Sequence, residues 1–261
     1  MFDSHAHYDD KRFDEDREAL LDALETDDSI TGIVNASVDL NSSENLIALA
    51  GNREKHYAAV GIHPHEADSA CDGYIEKLRE LAKSKKVIAV GEIGLDYHYD
   101  FSPRDKQRKV FDEQLCLARE LSMPVIIHDR EAHMECVDAV ARYPELVGVF
   151  HSYSGSVETA KILLARGWYL SFNGIITFSN AAKPRGVAAM VPDDRLLIET
   201  DCPYLSPVPL RGKRNDSRNL THIINELSKL RGQSFEHIEK ITNENACRLF
   251  GINNGERKVI T

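Results

Sequence analysis

The chain of 261 residues carries 32 Lys and Arg against 42 Asp and Glu, a formal charge of −10, with 42% hydrophobic and 28% charged residues. This composition excludes a mostly disordered chain, and no apolar run, such as Pro124-Val125-Ile126-Ile127, approaches the ~20 residues that span a bilayer. The acidic balance argues against a basic, duplex-tracking face. Five scattered cysteines, Cys71, Cys116, Cys136, Cys202 and Cys247, argue against a disulfide framework or a cysteine zinc site. The N-terminus lacks the basic-then-apolar pattern of a signal peptide, so a cytoplasmic location is expected.

In chain order, eight short apolar segments read as strands: Met1–His7, Ile30–Val38, Tyr57–Ile62, Val87–Gly91, Val125–His128, Val147–His151, Trp168–Phe172 and Leu196–Thr200. Each precedes a helical pattern. The clearest is Arg104–Leu121, where Val110, Phe111, Gln114, Leu115, Ala118 and Leu121 recur at helical spacing. Eight βα units of roughly 28 residues predict a (β/α)8 TIM barrel of the α/β class. The alternative, a doubly wound sheet, usually carries a glycine-rich turn after its first strand, and His5–Asp9 contains no glycine. A single domain over residues 1–252 is expected. Helices near Thr221–Leu230 and Phe235–Phe250 would close and cap it, with Asn253–Thr261 a loose tail.

Residues of catalytic type fall at the strand ends. His5 and His7 stand two apart and so share one strand face. Glu92 follows a buried apolar run, where a lone charge must be paired, hydrogen-bonded or metal-bound. His128, His151 and Asp201 end further strands. Each has a plainer reading: a solvated loop for the His pair, a salt bridge for Glu92, core histidines, and a turn aspartate before Pro203. Together, four histidines and two carboxylates at one barrel mouth match the ligand set of a two-metal hydrolase. Strand parity turns Cys202 away from Asp201. The same parity aims Asp3 and Glu199 inward as acceptors for ligand imidazoles, or into ordinary buried hydrogen bonds.

DSHAH at Asp3–His7, GIHPH at Gly61–His65, GEIGLDY at Gly91–Tyr97, HDREA at His128–Ala132, FHSYSG at Phe150–Gly155 and ETDCPYL at Glu199–Leu205 together resemble the TatD family. These are metal-dependent hydrolases of the amidohydrolase-like barrel superfamily associated with deoxyribonuclease activity. The resemblance implies that His5, His7 and Asp201 hold one divalent ion, that His128 and His151 hold a second, and that Glu92 bridges them. It places His63 and His65 at a substrate or extra-metal contact, and Arg211 and Lys213 in the family's RGK-x-N loop. Two departures, Leu210 and Asp216-Ser217, touch no ligand but bear on how substrate is held.

The mechanism expected is attack by a metal-activated water, with Asp201 as base and Glu92 as the bridging group. Zn²⁺, Mn²⁺ or Mg²⁺ would suit the ligands. Arg130 would hold a phosphate, or else pair with Glu131 or Glu135, while Arg211 and Lys213 would hold a neighbouring phosphate or form a solvated loop. Arg214 reads as solvated. DNA, cut 3′→5′ from single-stranded ends, is the expected substrate, with no membrane or obligatory protein partner. The alternatives are an ester or amide hydrolase on the same metals, such as a D-aminoacyl-tRNA deacylase or a small phosphoester hydrolase, and a metal-binding scaffold without turnover. The charge is uneven. Asp9–Asp28 contributes −7, whereas Arg104–Lys109 and Arg211–Arg218 contribute +3 each and are expected beside the mouth.

Overall fold

The computed structural model describes residues 1–253 and 256–257. Eight parallel strands, β1 (Phe2–Ala6), β2 (Gly32–Ala36), β3 (His56–Val60), β4 (Val87–Asp96), β5 (Val125–Arg130), β6 (Gly148–Phe150), β7 (Tyr169–Phe172) and β8 (Leu196–Ile198), pair in sequence order. The ring closes just beyond β8. Asp201 N donates to His5 O at 2.9 Å, and His7 N donates to Cys202 O at 2.8 Å. The fold is the expected (β/α)8 barrel. Its helices are α1 (Arg17–Thr26), α2 (Leu40–Ala50), α3 (Tyr74–Leu81), α4 (Arg104–Leu121), α5 (His133–Ala141), α6 (Val157–Ala165), α7 (Ala182–Met190), α8 (Leu220–Arg231) and α9 (Phe235–Phe250).

Two apolar layers hold the barrel. Outward side chains such as Ile33, Val60, Ile127 and Ile198 pack under the helices. Inward ones, Phe2, Val34, Tyr57, Ile88, Ile126, Val149 and Leu197, form a separate cluster with Ala246, Leu249 and Phe250 of α9. That helix therefore caps the N-terminal end, with Phe2 stacked between Tyr57 (6.5 Å) and Phe250 (6.1 Å). Each fully buried aromatic or branched side chain contributes about 1.5–3 kcal/mol. The dry, plugged floor leaves the C-terminal mouth as the end of the barrel where polar side chains collect.

Three differences from the sequence reading matter. First, β4 runs to Asp96, five residues past its expected end, with a register shift between Val90 and Ile93. Gly94 permits this: at φ 147° its missing Cβ would fall 1.9 Å from the His128 carbonyl oxygen. Glu92 therefore lies within a strand rather than after one. Second, β1 shifts register between Asp3 and Ala6, which breaks the simple alternation on which the inward placement of Asp3 rested. Third, the expected tail is not all loose: Ile252–Asn253 pairs antiparallel with Glu256–Arg257. Residues 254–255 and 258–261 of that expectation lie outside the described residues.

His56 at the start of β3 is fully buried, with neither ring nitrogen hydrogen-bonded. Burial, reinforced by the nearby Arg53, Lys86 and Lys55 charges, pushes its pKa down to about 3. The folded state thus refuses a proton that the unfolded chain accepts near pH ~6.5. This contribution is intact above that pH and is lost as the pH falls toward 3, reaching about 2 kcal/mol at pH 5. Urea unfolding of the wild type should accordingly lose about that much more stability between pH 8 and pH 5 than His56→Leu does. Equal losses in the two proteins would contradict the assignment.

Candidate metal centre

The strand ends bring five histidines to one carboxylate. Glu92 is 2% exposed. Its Oε1 lies 2.7 Å from His128 Nδ1, 2.8 Å from His151 Nε2 and 3.5 Å from His63 Nε2. Its Oε2 lies 3.2 Å from His5 Nε2 and 3.5 Å from His7 Nε2. Asp201 Oδ1 completes the ring, 3.5 Å from His7 Nε2 and 3.8 Å from His5 Nε2. Asp201 sits at φ 54°, a left-handed conformation that aspartate tolerates better than most residues. All six residues expected as metal ligands are thus gathered at one place, and His63 joins them.

Electrostatics binds the group together. Burial alone would raise the Glu92 pKa, but His151, His5, His63 and His128 outweigh it and hold the carboxyl well below its ordinary range. Burial likewise opposes protonation of His7, yet the hydrogen bond to Asp201 and the Glu92 charge lift it to about 9. His63 goes the other way, down to about 3, because burial dominates. Its Nδ1 accepts from His65 N at 3.1 Å, so the neutral ring carries its proton on Nε2 and presents a donor to Glu92.

Several atoms have the character of cation ligands. His5 Nε2 and His7 Nε2 approach to 3.0 Å, and His151 Nε2 and His128 Nδ1 to 3.3 Å. Such paired nitrogens need a shared proton or a shared cation. Three triplets, His5·Glu92·His151, His5·His7·Asp201 and His63·Glu92·His128, have candidate ligand atoms within 4.8 Å of one another. The set is one of nitrogen and oxygen donors, suited to Zn²⁺ or Mn²⁺ and, with more water, Mg²⁺.

Behind the cluster, three rings are held from their far side. His7 Nδ1 donates to Ala36 O at 2.9 Å. His151 Nδ1 faces Glu199 Oε1 at 3.4 Å, and Glu199 also accepts from Ser152 N at 2.6 Å. His128 Nε2 meets Asp96 Oδ2 at 3.1 Å, and the same oxygen holds His65 Nε2 at 2.8 Å. Outer contacts of this kind fix ring orientation and tautomer. Sequence reasoning missed Asp96, although its position four residues beyond Glu92, on an apolar stretch, was a signal of the same kind. Of the two readings for Asp3, an imidazole acceptor or ordinary buried hydrogen bonds, the structure shows the second: it accepts from Thr200 N (2.9 Å), Thr200 Oγ1 (2.6 Å) and Ser217 Oγ (2.7 Å), because the β1 register shift turns it aside. Cys202 is buried against Asp3, Thr200 and Tyr8 rather than in the cluster.

The basic rim is thinner than the sequence suggested. Arg104 is paired with Asp100, Arg108 with Glu135 and Lys109 with Glu113, so the first +3 cluster is largely neutralised locally. In the second, Arg214 pairs with Asp16 and Arg218 with Asp216, and Arg211 and Lys213 are left over among the described residues. Arg214 is accordingly not a free solvated cation. Arg130 does not bridge Glu131 or Glu135: the first pairs with His98, the second with Tyr97 and Arg108. Arg130 lies over the Tyr99 ring at 4.7 Å, and Arg211 over Phe178 at 4.1 Å. Among the described residues neither of these, nor Lys213, has a carboxylate partner.

Comparison with known proteins agrees with this geometry. The family model "TatD related DNase" matches residues 2–251. The chain belongs to that family. It is 40% identical to the uncharacterised metal-dependent hydrolase YabD of Bacillus subtilis, over 97% of this chain and all of that one. It is 34% identical to the 3′-5′ ssDNA/RNA exonuclease TatD of Cronobacter sakazakii, over 96% of this chain and 97% of the relative. The crystal structure of the TatD homologue YjjV from Escherichia coli superposes with a TM-score of 0.90 at 31% identity, covering 97% and 98% of the two chains.

Because Asp96 holds His128 from behind, Asp96→Asn should weaken divalent-ion binding about 10–100-fold. Titration calorimetry on chelator-stripped protein with Mn²⁺ measures this. An unchanged affinity would show that Asp96 does not support the centre.

Proposed function

We propose that the protein, a metal-dependent hydrolase of the TatD family, cleaves phosphodiester bonds of DNA from single-stranded 3′ ends. Two divalent cations (Zn²⁺, Mn²⁺ or Mg²⁺) would be held by His5, His7, Glu92, His128, His151 and Asp201. The observation that carries this reading is the convergence of five imidazoles and a second carboxylate on one buried glutamate at an open barrel mouth. Cleavage polarity and strand preference are supported by the named activity of the Cronobacter relative.

Cations bound there supply a lowered water pKa, from ~15.7 toward ~7, and charge neutralisation at phosphate. The chain's own groups do the rest. Asp201, held ionised because His7 and His5 outweigh its burial, accepts the proton of the attacking water at a carboxylate oxygen. That water's oxygen forms the new bond to phosphorus as the bond to the departing nucleotide oxygen breaks, and the departing oxygen is protonated from solvent at the open mouth. Glu92, shared by two of the candidate triplets, fixes their spacing. His63, with its Nε2–H turned to Glu92, backs His65, which steadies the phosphodiester. Arg130, Arg211 and Lys213, none of which has a carboxylate partner among the described residues, hold phosphate oxygens. Among the described residues no helix is long and apolar enough to cross a membrane.

A single-stranded oligonucleotide labelled at either end, with Mg²⁺, Mn²⁺ or Zn²⁺, tests this. The wild type should shorten it from the 3′ end, His128→Ala should abolish the activity, and Asp201→Asn should lower kcat about 10²–10⁴-fold. With these three cations, log(kcat/KM) should fall against log[salt] with a slope of about −2, at roughly −0.7 per phosphate contact. Ester or aminoacyl-tRNA hydrolysis far outpacing phosphodiester cleavage would overturn the substrate assignment.

A further inference from the structure

The loop after β4 exposes two aromatic rings beside the histidine cluster. Tyr99 is 48% and Phe101 68% exposed. Their centroids lie 5.2 Å apart with planes within 20°, and the Arg130 guanidinium also lies over Tyr99. Leaving two large rings in water forgoes their burial energy.

The loop is built to hold them in place. Asp96 Oδ1 accepts from His98 N (3.0 Å) and Tyr99 N (2.9 Å) at its start. At its end, buried Ser102 donates to His65 O (2.7 Å), while Gln107 Nε2 donates to Ser102 O (2.8 Å) and Asp96 O (3.1 Å). Buried polar groups at both ends of the loop therefore fix the presentation of both rings.

The rings also adjoin the site. His65 meets Phe101 edge-on at 4.8 Å and Tyr99 at 5.5 Å. Through the shared Asp96 oxygen it reaches His128, and through His128 it reaches Glu92. An unpaired strand entering the mouth brings a phosphate and a flat base to one place, and Arg130 and the paired rings offer the complementary surfaces. The third exposed aromatic of the barrel mouth, Tyr204, is already covered by Arg12 at 3.9 Å and bonded to Asp10, which leaves Phe101 as the open ring face.

We infer that Phe101, backed by Tyr99, is a stacking platform for an unpaired nucleobase next to the cleaved phosphodiester, with Arg130 on that nucleotide's phosphate. This inference rests on the nuclease reading above and adds to it a base-binding position. Stacking is blind to base identity, since every base has a π face. The platform therefore confers preference for unpaired strands, whose bases are free to leave a duplex stack, rather than for a particular sequence.

The test compares wild type, Phe101→Ala and Phe101→Trp on two single-stranded oligonucleotides. One is fully natural, and the other is abasic at its last three 3′ positions. On the natural strand Phe101→Ala should raise KM on the order of 10-fold with kcat largely kept, and Phe101→Trp should restore KM. On the abasic strand wild type and Phe101→Ala should have the same KM. Phe101 is largely exposed, so its truncation leaves the core intact. A wild-type KM for Phe101→Ala on the natural strand, or an equal KM loss on both strands, would overturn the platform while leaving the nuclease reading standing. No cleavage of either strand by the wild type would overturn both.

Discussion

A carboxylate taken out of water costs several kcal/mol unless positive charge and hydrogen bonds replace its hydration. In this protein that carboxylate is Glu92, and the mouth of the barrel is organised around meeting its demand. Five imidazoles from four strand ends reach its two oxygens. Four of the five imidazoles take a defined role from what stands behind them: Ala36 O for His7, Glu199 for His151, Asp96 for His128, and the His65 amide for His63. A change in any of these outer groups is transmitted to the centre as a change of ring orientation or proton position. They form one electrostatic unit rather than a set of independent ligands.

The fold separates this costly polar assembly from what stabilises the protein. The inner apolar cluster, sealed by α9, fills the N-terminal half of the barrel, and the helix layer packs the outside. Against that rigid base the mouth can carry buried charge, a left-handed Asp201 and exposed rings. Some of the acids nearest the basic loops are held locally, Asp10 by Arg12, Asp16 by Arg214 and Asp216 by Arg218, and Glu92 and Asp201 face imidazoles. The same pairing leaves only a small set of cations at the rim, which suits gripping one strand end better than binding along a duplex.

Much of this was legible in the sequence. Strand order, the run of α4 and α9, and the convergence of His5, His7, Glu92, His128, His151 and Asp201 followed from periodicity and from polar residues ending apolar segments. What escaped has local causes. Alternation along a strand misplaces Asp3 because a register shift intervenes, and the apolar run that marks β4 stops at Gly91, where it meets Glu92. The strand itself continues, using Gly94 to pass close to β5. Asp96, lost beyond that false strand end, proves to connect His65, His128 and the Tyr99–Phe101 loop. Charge counting along the chain could not tell that Arg104, Arg214 and Arg218 find acids within reach, because such pairing depends on loop geometry rather than on composition.

The central claim is that the Glu92 cluster is a divalent-metal centre. It is tested most directly by counting metal in purified protein after repletion and desalting, for wild type and for Glu92→Gln. The expected result is close to two equivalents per chain in the wild type and less than one in the folded variant. A wild-type chain that retains no metal, or a Glu92→Gln chain that retains as much as the wild type, would contradict it.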